Sequence, residues 1–450
     1  MFRYNTRLSI IAISLIITLT ISVASISTGL VTLSAAQQKK QVTITTILDD
    51  EGDPSRALKM FYQPALQELR ARHPDLDIKL DYRPIPYLNL RTQFLKTMAN
   101  QTPVDIMTVD QIWIGEFVQK GFLTDLTNRT HSWGRESDWY PANWAGGIYN
   151  HKVYGISPFA DIRGMWYWKD LLNKSGVNPD SLKTWDGYIA SAKKLNAVLR
   201  PQGIEGVHLV GVAHSPDIEF YPYLWMQGGE IIKQKSGHPT KGTYWFPAFN
   251  STEGVKALDF IKAQIDAGVK PQRQHFWGKE FLDRKFAVML EALQNHVHMN
   301  TTEQKLAFEQ KVGFFPMFPV PHLSDRSATL EGGEELSIPQ TSRNKDLAWE
   351  LITLILEPKI MAAYSIKYGL LPTQIPIGNG PYAPLLNQTI PYYKDLISML
   401  SIARTRPIIP EYPQINDNIR QAIEQIYNAT KEPKQALDEA AFKSAKDLGW

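Results

Sequence analysis

Cysteine does not occur anywhere in the 450 residues. That excludes disulfides, thiolate metal sites, cysteine nucleophiles and a lipid anchor on an N-terminal cysteine. Surplus charge is also scarce. The formal net charge is +3, of which Arg3 and Arg7 supply two, with no acid among the first 36 residues. The body that remains is almost neutral and offers no electrostatic footprint for nucleic acid. There is no Gly-x-x-x-x-Gly-Lys-Ser/Thr loop, no strand-linked Gly-x-Gly-x-x-Gly and no Gly-x-Ser-x-Gly elbow. Phosphate cradles, dinucleotide sites and the α/β-hydrolase nucleophile therefore lack their signatures. His296 and His298 could share one strand face, but no third ligand stands at metal-site spacing, so neither metal nor cofactor is expected. No repeat period or low-complexity tract is evident.

What is present describes an ordinary globular chain, 43% apolar and 21% charged, long enough for two lobes. Aromatic residues reach 11%, with 12 Trp and 19 Tyr, a supply that suits a site stacking on flat apolar faces as well as a core. At the N-terminus, Arg3 and Arg7 precede an uncharged apolar run from Leu8 to Leu33, followed by Ser34-Ala35-Ala36. Residues 1–36 read as a signal peptide cleaved after the small residues, or as an uncleaved membrane anchor. Both place the body outside the cytoplasm. Seven Asn-x-Ser/Thr sequons, at Asn100, Asn128, Asn173, Asn250, Asn300, Asn387 and Asn428, are compatible with that side of the membrane.

Beyond the linker, Gln41–Leu48 alternates β-branched residues and predicts a strand. The acidic loop Asp49–Asp53 follows, then a helical stripe through Leu58, Tyr62, Leu66 and Leu69. Asp77–Tyr82 and Val104–Val109 predict two more strands, with a helix over Leu88–Asn100 between them and another running to Lys120. This β-α-β-α-β order favours a parallel sheet covered on both faces, whose ligands bind at the carboxyl ends of its strands. Later segments predict helices over Trp185–Leu199, Ser251–Ala267, Leu347–Leu356, Lys359–Tyr368 and Asn416–Asn428. Strands are expected over Gly206–Val212 and Phe286–Leu290.

An ordered set of short motifs spans nearly the whole chain after Gln41. They are Pro103–Met107 leading to Asp110, Glu116–Leu126, Val153–Ile156 with Asp161, Trp166–Gly176, Thr184-Trp185-Asp186 and Gln227–Glu230. Phe249–Phe260, Phe286–Glu291, Gly332-Gly333, Leu336–Asn344 and Lys345–Ile355 complete it. In this order and spacing the chain resembles the extracellular sugar-binding proteins of ABC importers, related to maltose-binding protein. The resemblance implies an α/β, two-lobed periplasmic-binding-protein type II fold with discontinuous lobes, hinge crossings and a central ligand cleft. Hinge crossings are expected near Phe159–Arg163, Met289–Ala292 and Gly333–Leu336. The first lobe would take residues 41–160 and 291–333; the second would take 161–290 and 334–450, including the C-terminal helices. The implied partners are a sugar or polyol and the permease subunits of an ABC importer, with the binding protein itself a monomer.

A sugar offers hydroxyls and an apolar C–H face, so carboxylates, amides, Arg and stacked aromatic rings are the groups to seek. Asp50 and Glu51 follow the first strand, where a solvated loop or a helix cap competes with ligand contact. Asp110 ends the third strand and either caps the next helix or faces ligand; Trp113 either packs or stacks. Asp161 and Arg163, at the first crossing, either pair with each other or reach the ligand. Tyr221, Trp225 and Trp277 are candidate stacking rings. Glu291 ends an apolar strand, and Gly333 and Glu334 offer close backbone approach and one more acid. After Glu291 the chain reads Ala292-Leu293-Gln294-Asn295 where relatives often have Gly and Trp. That removes an expected stacking surface and implies a smaller or more hydrophilic ligand, or a different one. Relatives often have an aromatic or small polar residue near Glu334, so the expected pocket is richer in carboxylates than usual, with room for an amine-bearing ligand. Two rivals remain: a glycosidase using paired carboxylates among Asp110, Asp161, Glu291 and Glu334, and an anchored receptor working without a transporter.

Overall fold

The computed structural model describes residues 39–49, 62–209, 220–238, 242–271, 278–293 and 299–450. The signal peptide or anchor expected over residues 1–36 therefore lies outside the described residues. Among the described residues no helix is long and apolar enough to cross a membrane.

Three sheets organise the chain from Lys40 onward. The first contains β1 (Lys40–Asp49), β2 (Leu76–Ile85), β3 (Ile106–Asp110), β4 (Gly155–Ile156) and, much later, β11 (Glu334–Ser337), in the order β2-β1-β3-β11-β4. β1 pairs parallel with β2 from Lys40↔Leu76 to Asp49↔Ile85, and parallel with β3 at Thr46↔Ile106. The strands are connected by α1 (Gln63–Arg72) and α2 (Tyr87–Ala99), which bury Leu66 and Leu69, and Leu90, Phe94 and Met98. The predicted β-α-β-α-β start is present. Asp105 explains why its motif is polar at that point: Oδ2 accepts from Thr45 N at 2.9 Å and Oδ1 from Ser342 Oγ at 2.7 Å. One buried carboxylate thereby ties β1 and β3 to the Leu336–Asn344 segment.

β5 (Phe159–Ile162), β10 (Thr329–Gly332), β12 (Leu371–Pro372) and β13 (Ala403–Arg404) make a middle sheet, ordered β12-β5-β10-β13. A further sheet joins β6 (Gly164–Trp168), β7 (Glu205–Val207), β8 (Phe286–Glu291) and β9 (Val312–Phe315) in the order β9-β6-β8-β7. Successive strands β4, β5 and β6 therefore carry the chain from the first sheet through the middle one to the third. β9, β10 and β11 carry it back, with Gly332 opposite Asp161 and Glu331 opposite Ile162. The chain thus changes sheets around Phe159–Arg163 and again just before Gly333–Leu336.

Sheet membership departs from the expected division elsewhere. At Met289–Ala292 no change of sheet occurs: β8 pairs with β6, and the next described strand, β9, pairs with β6 as well. Val312–Phe315 thus lies with the third sheet, whereas Glu334–Ser337, assigned to the second lobe, pairs with β3 of the first. A continuous apolar run reports that a strand is buried on both faces, not which sheet receives it.

Helices α4 (Trp185–Leu199) and α6 (Thr252–Asp266) start at side-chain caps, Thr184 Oγ1 accepting from Gly187 N and Ser251 Oγ from Gly254 N. Between them lies α5 (Phe220–Met226). α7 (Tyr412–Tyr427) and α8 (Pro433–Asp447) pack on each other and on α6; Ile415, Ile419, Ile423 and Ile426 form the buried stripe of α7. α3 (Gln111–Gln119) meets the same C-terminal region at Gly115, where a Cβ would stand 2.6 Å from the Ile409 carbonyl carbon. Only glycine permits that approach.

Candidate functional site

The polar centre is built where the first and middle sheets meet. Asp110 is at once the last residue of β3 and the N-cap of α3, and it is buried. Its Oδ1 accepts from Ile112 N at 3.2 Å and from Arg406 Nη2 at 3.1 Å; Oδ2 accepts from Tyr87 OH at 2.6 Å. Of the two readings the sequence offered for it, a cap or a ligand contact, the cap is the one observed. Glu334 faces Asp110 across the β11–β3 ladder. Its carboxyl is held well above the usual range by burial first, then by Asp49, Asp110 and Asp161.

Asp161 and Arg163 flank the crossing from β5 to β6. Arg163 Nη2 lies 3.0 Å from Asp161 Oδ2, and Arg163 Nε donates to Glu291 Oε1 at 2.9 Å. The ion-pair reading of Asp161–Arg163 is therefore observed, extended to a third member. Glu291 also accepts from Ala292 N at 2.8 Å, and burial raises its pKa against the lowering effect of Arg163. Gly332 backs this arrangement: a Cβ there would stand 3.0 Å from Asp161 Oδ2. The Gly333 carbonyl accepts from Gln111 N at 3.4 Å, joining the crossing to α3.

A cleft of about 300 Å³ opens beside this centre, at the lower end of the range for small-molecule sites. Trp225, Trp245, Ile231, Ile232 and Ile409 supply its apolar walls; Glu230, Arg404 and Arg406 supply charge. Arg406 links it to Asp110. Arg404 lies over the Trp225 ring, 5.0 Å from its centroid, and donates to Glu230 Oε2 at 2.7 Å.

Of the expected site residues, Asp110, Asp161, Arg163, Glu291, Gly333 and Glu334 come together at the crossings, and Trp225 lines the cleft. Trp113 packs instead, stacked 5.7 Å from Tyr87 and edge-on to Phe94; it supports the tyrosine that bonds Asp110. Tyr221 is fully buried, its hydroxyl donating to Asn416 Oδ1 at 2.8 Å. Both rings are rich in core neighbours, which is what a large aromatic on a helix most often finds. Asp50, Glu51 and Trp277, like His296 and His298, lie outside the described residues.

Sequence reasoning missed Arg404, Arg406 and Trp245. The Arg pair had a signal in Ala403-Arg404-Thr405-Arg406-Pro407, whose alternation puts both guanidiniums on one face of an extended segment. It also missed Glu331 and Glu335, neighbours of Glu334 in the same short run. Glu331 is buried, accepts from Gln111 Nε2 at 3.2 Å and from Asn143 Nδ2, and is pushed up to about 8 by burial. Glu335 is raised as well, by burial and then by Glu331 and Asp110.

Comparison with known proteins matches this architecture. The family model described as "Bacterial extracellular solute-binding protein" covers residues 54–362. The arabinooligosaccharide-binding protein of Bacillus subtilis is 24% identical over 405 residues, covering 85% of this chain and 88% of its own. Among solved structures, a solute-binding protein from Thermotoga lettingae bound with α-D-tagatose superposes with a TM-score of 0.73 at 20% identity, covering 91% of this chain and 100% of that one. One from Agrobacterium radiobacter in complex with ribitol gives 0.68 at 22% identity, with 90% and 98% covered. With the two crossings and the sheets they join, the chain has the two-lobed type II periplasmic-binding-protein fold and belongs to the bacterial extracellular solute-binding proteins.

Proposed function

We propose that this protein captures a sugar or polyol outside the cytoplasm and delivers it, unreacted, to the permease of an ABC importer, acting as a monomer. The observation that carries the reading is the cleft itself. Indole rings and isoleucines wall one side of it, while Arg406 connects the other to Asp110 at the carboxyl end of a parallel strand. Such a surface matches both halves of a carbohydrate, its C–H face and its hydroxyls. The ligands named for the relatives, an arabinooligosaccharide, tagatose and ribitol, are of that kind.

The lobes would divide by sheet membership, with β1–β4 and β11 in one and β6–β9 with the C-terminal helices in the other. The middle sheet would serve as hinge. Closure around a ligand removes water from the ion pairs and strengthens them, so the ligand shifts the population toward the closed form. Thermal-shift screening of the purified body against sugars and polyols, with chromatography of the recovered ligand, tests the reading. Saturable stabilisation with ligand recovered intact is the expected result. Turnover of oligosaccharide would replace capture by glycoside hydrolysis.

A further inference from the structure

We infer that Asn100, Asn300 and Asn428 are modification sites that carry N-linked oligosaccharide in the mature protein. The inference rests on the extracytoplasmic part of the proposed function and not on its ligand.

The chain has 18 asparagines and, in 450 residues, 52 serines and threonines. At that composition about two of the 18 would stand two residues before a hydroxyl by chance. Seven do, six of them before threonine, and no sequon has proline in the middle. Their placement is equally selective. Asn143, Asn196 and Asn418, which stand outside sequons, are buried, whereas none of the seven sequon asparagines is. All seven lie on helices, helix ends or turns; none is in a strand and none lines the cleft. The charge of the body points the same way. Setting aside Arg3 and Arg7 takes the formal charge from +3 to +1, too little for repulsion to keep copies apart, and bulky hydrated sugar does so without charge.

A transferase must reach the asparagine amide and the hydroxyl together, and this separates the seven. The Asn250 side chain is engaged, its Nδ2 donating to Asp438 Oδ1 at 2.9 Å. At Asn128 and Asn173 the asparagine is exposed but the hydroxyl residue, Thr130 or Ser175, is buried. Asn387 is itself half-buried. Asn100, Asn300 and Asn428 are exposed, and Thr102, Thr302 and Thr430 remain accessible beside them.

Two of the three share one geometry. Asn100 and Asn428 cap the C-termini of α2 and α7, and the next residue, Gln101 or Ala429, takes a φ of 51°. The threonine N–H then returns to the helix, Thr102 N donating to Thr97 O at 3.0 Å and Thr430 N to Gln425 O at 2.9 Å. That left-handed turn carries the acceptor off the helix end into solvent. Asn300 stands just before the helix Thr302–Lys311. Transfer forms a bond from the asparagine Nδ2 to C1 of the first sugar and breaks the bond from that carbon to the phosphate of a polyprenyl-linked oligosaccharide. The lipid phosphate leaves, and one amide proton goes to solvent.

The test is mass spectrometry of tryptic peptides from the full protein, purified by fraction from the cells that naturally make it. Peptides holding Asn100, Asn300 and Asn428 should each be heavier than their sequence by one oligosaccharide. Thr102→Ala, Thr302→Ala and Thr430→Ala should each return one peptide to its bare mass. Thr102→Ser, Thr302→Ser and Thr430→Ser should keep the sugar, which separates loss of the acceptor hydroxyl from misfolding. Bare peptides at all three sites in protein recovered outside the cytoplasm, or sugar confined to the other four sequons, would overturn the inference while leaving solute capture intact. Bare protein recovered only from the cytosol would count against both.

Discussion

Replacing Glu331 by glutamine should stabilise the protein, by an amount that grows with pH. Glu331 sits on β10 in the middle sheet, 1% exposed, with its carboxyl between the amides of Gln111 and Asn143. Burial raises its pKa from 4.5 to about 8. The folded protein therefore holds this proton more tightly than the unfolded chain, and stability falls as the pH rises through the window between those two values. Each tenfold difference in proton affinity between the folded and unfolded chain corresponds to about 1.4 kcal/mol. Between pH 5 and pH 8 the penalty should reach roughly 3–4 kcal/mol, an upper value because the surroundings relax. Glutamine carries no charge, and its amide can donate where the protonated acid would. Gln111 Oε1 and Asn143 Oδ1 both lack partners among the described residues and offer acceptors. Urea unfolding of both proteins at pH 5 and pH 8 measures the difference. A gain of less than about 1 kcal/mol at pH 5 and of several at pH 8 is expected. A difference independent of pH, or a loss that deepens as pH rises, would refute the reasoning.

Three further outcomes follow from the same geometry. Asp110→Ala should cost about 1 kcal/mol through the lost helix cap and more through the stranded Arg406, and should weaken ligand binding at least about tenfold; urea unfolding and calorimetric titration read the two effects. Arg163→Met leaves Asp161 and Glu291 without their shared cation, a loss of about 3–5 kcal/mol. That loss should shrink in acid, where Glu291 protonates, as denaturation at pH 4.5 and 7.5 would show. His208 is buried with its pKa lowered from 6.5 to about 4, so its folded form resists protonation and stability is lost as pH falls through that window. His208→Leu should remove up to about 3 kcal/mol of the acid slope between pH 6.5 and 4, measured as the difference in unfolding free energy at those two pH values.

Much of this fold was legible because its early strands and helices declare their own periodicity. Ile44, Ile47 and Leu48 in β1, and Leu90, Phe94 and Met98 in α2, mark faces that a local window can find. Pairing was less accessible. Nothing within Val312–Phe315 or Glu334–Ser337 specifies a partner more than a hundred residues away, so the sheets these strands join could not be read from the sequence. The site shows the same division. Asp110, Asp161, Arg163, Glu291 and Glu334, which the fold brings together, could be singled out because acids and an Arg ending apolar strands need an explanation. Trp113 and Tyr221 misled because a ring suited to stacking on a ligand is equally suited to a core. Arg404 and Arg406 were missed because their segment lies far along the chain from the strands whose carboxylates they meet.

The central claim is that a small molecule is held between two lobes that draw together around it. Small-angle X-ray scattering of the body with and without a ligand identified by thermal shift tests this directly. The account predicts a smaller radius of gyration at saturation, reversed when the ligand is dialysed away. Superimposable profiles, with calorimetry on the same sample proving the site full, would contradict it.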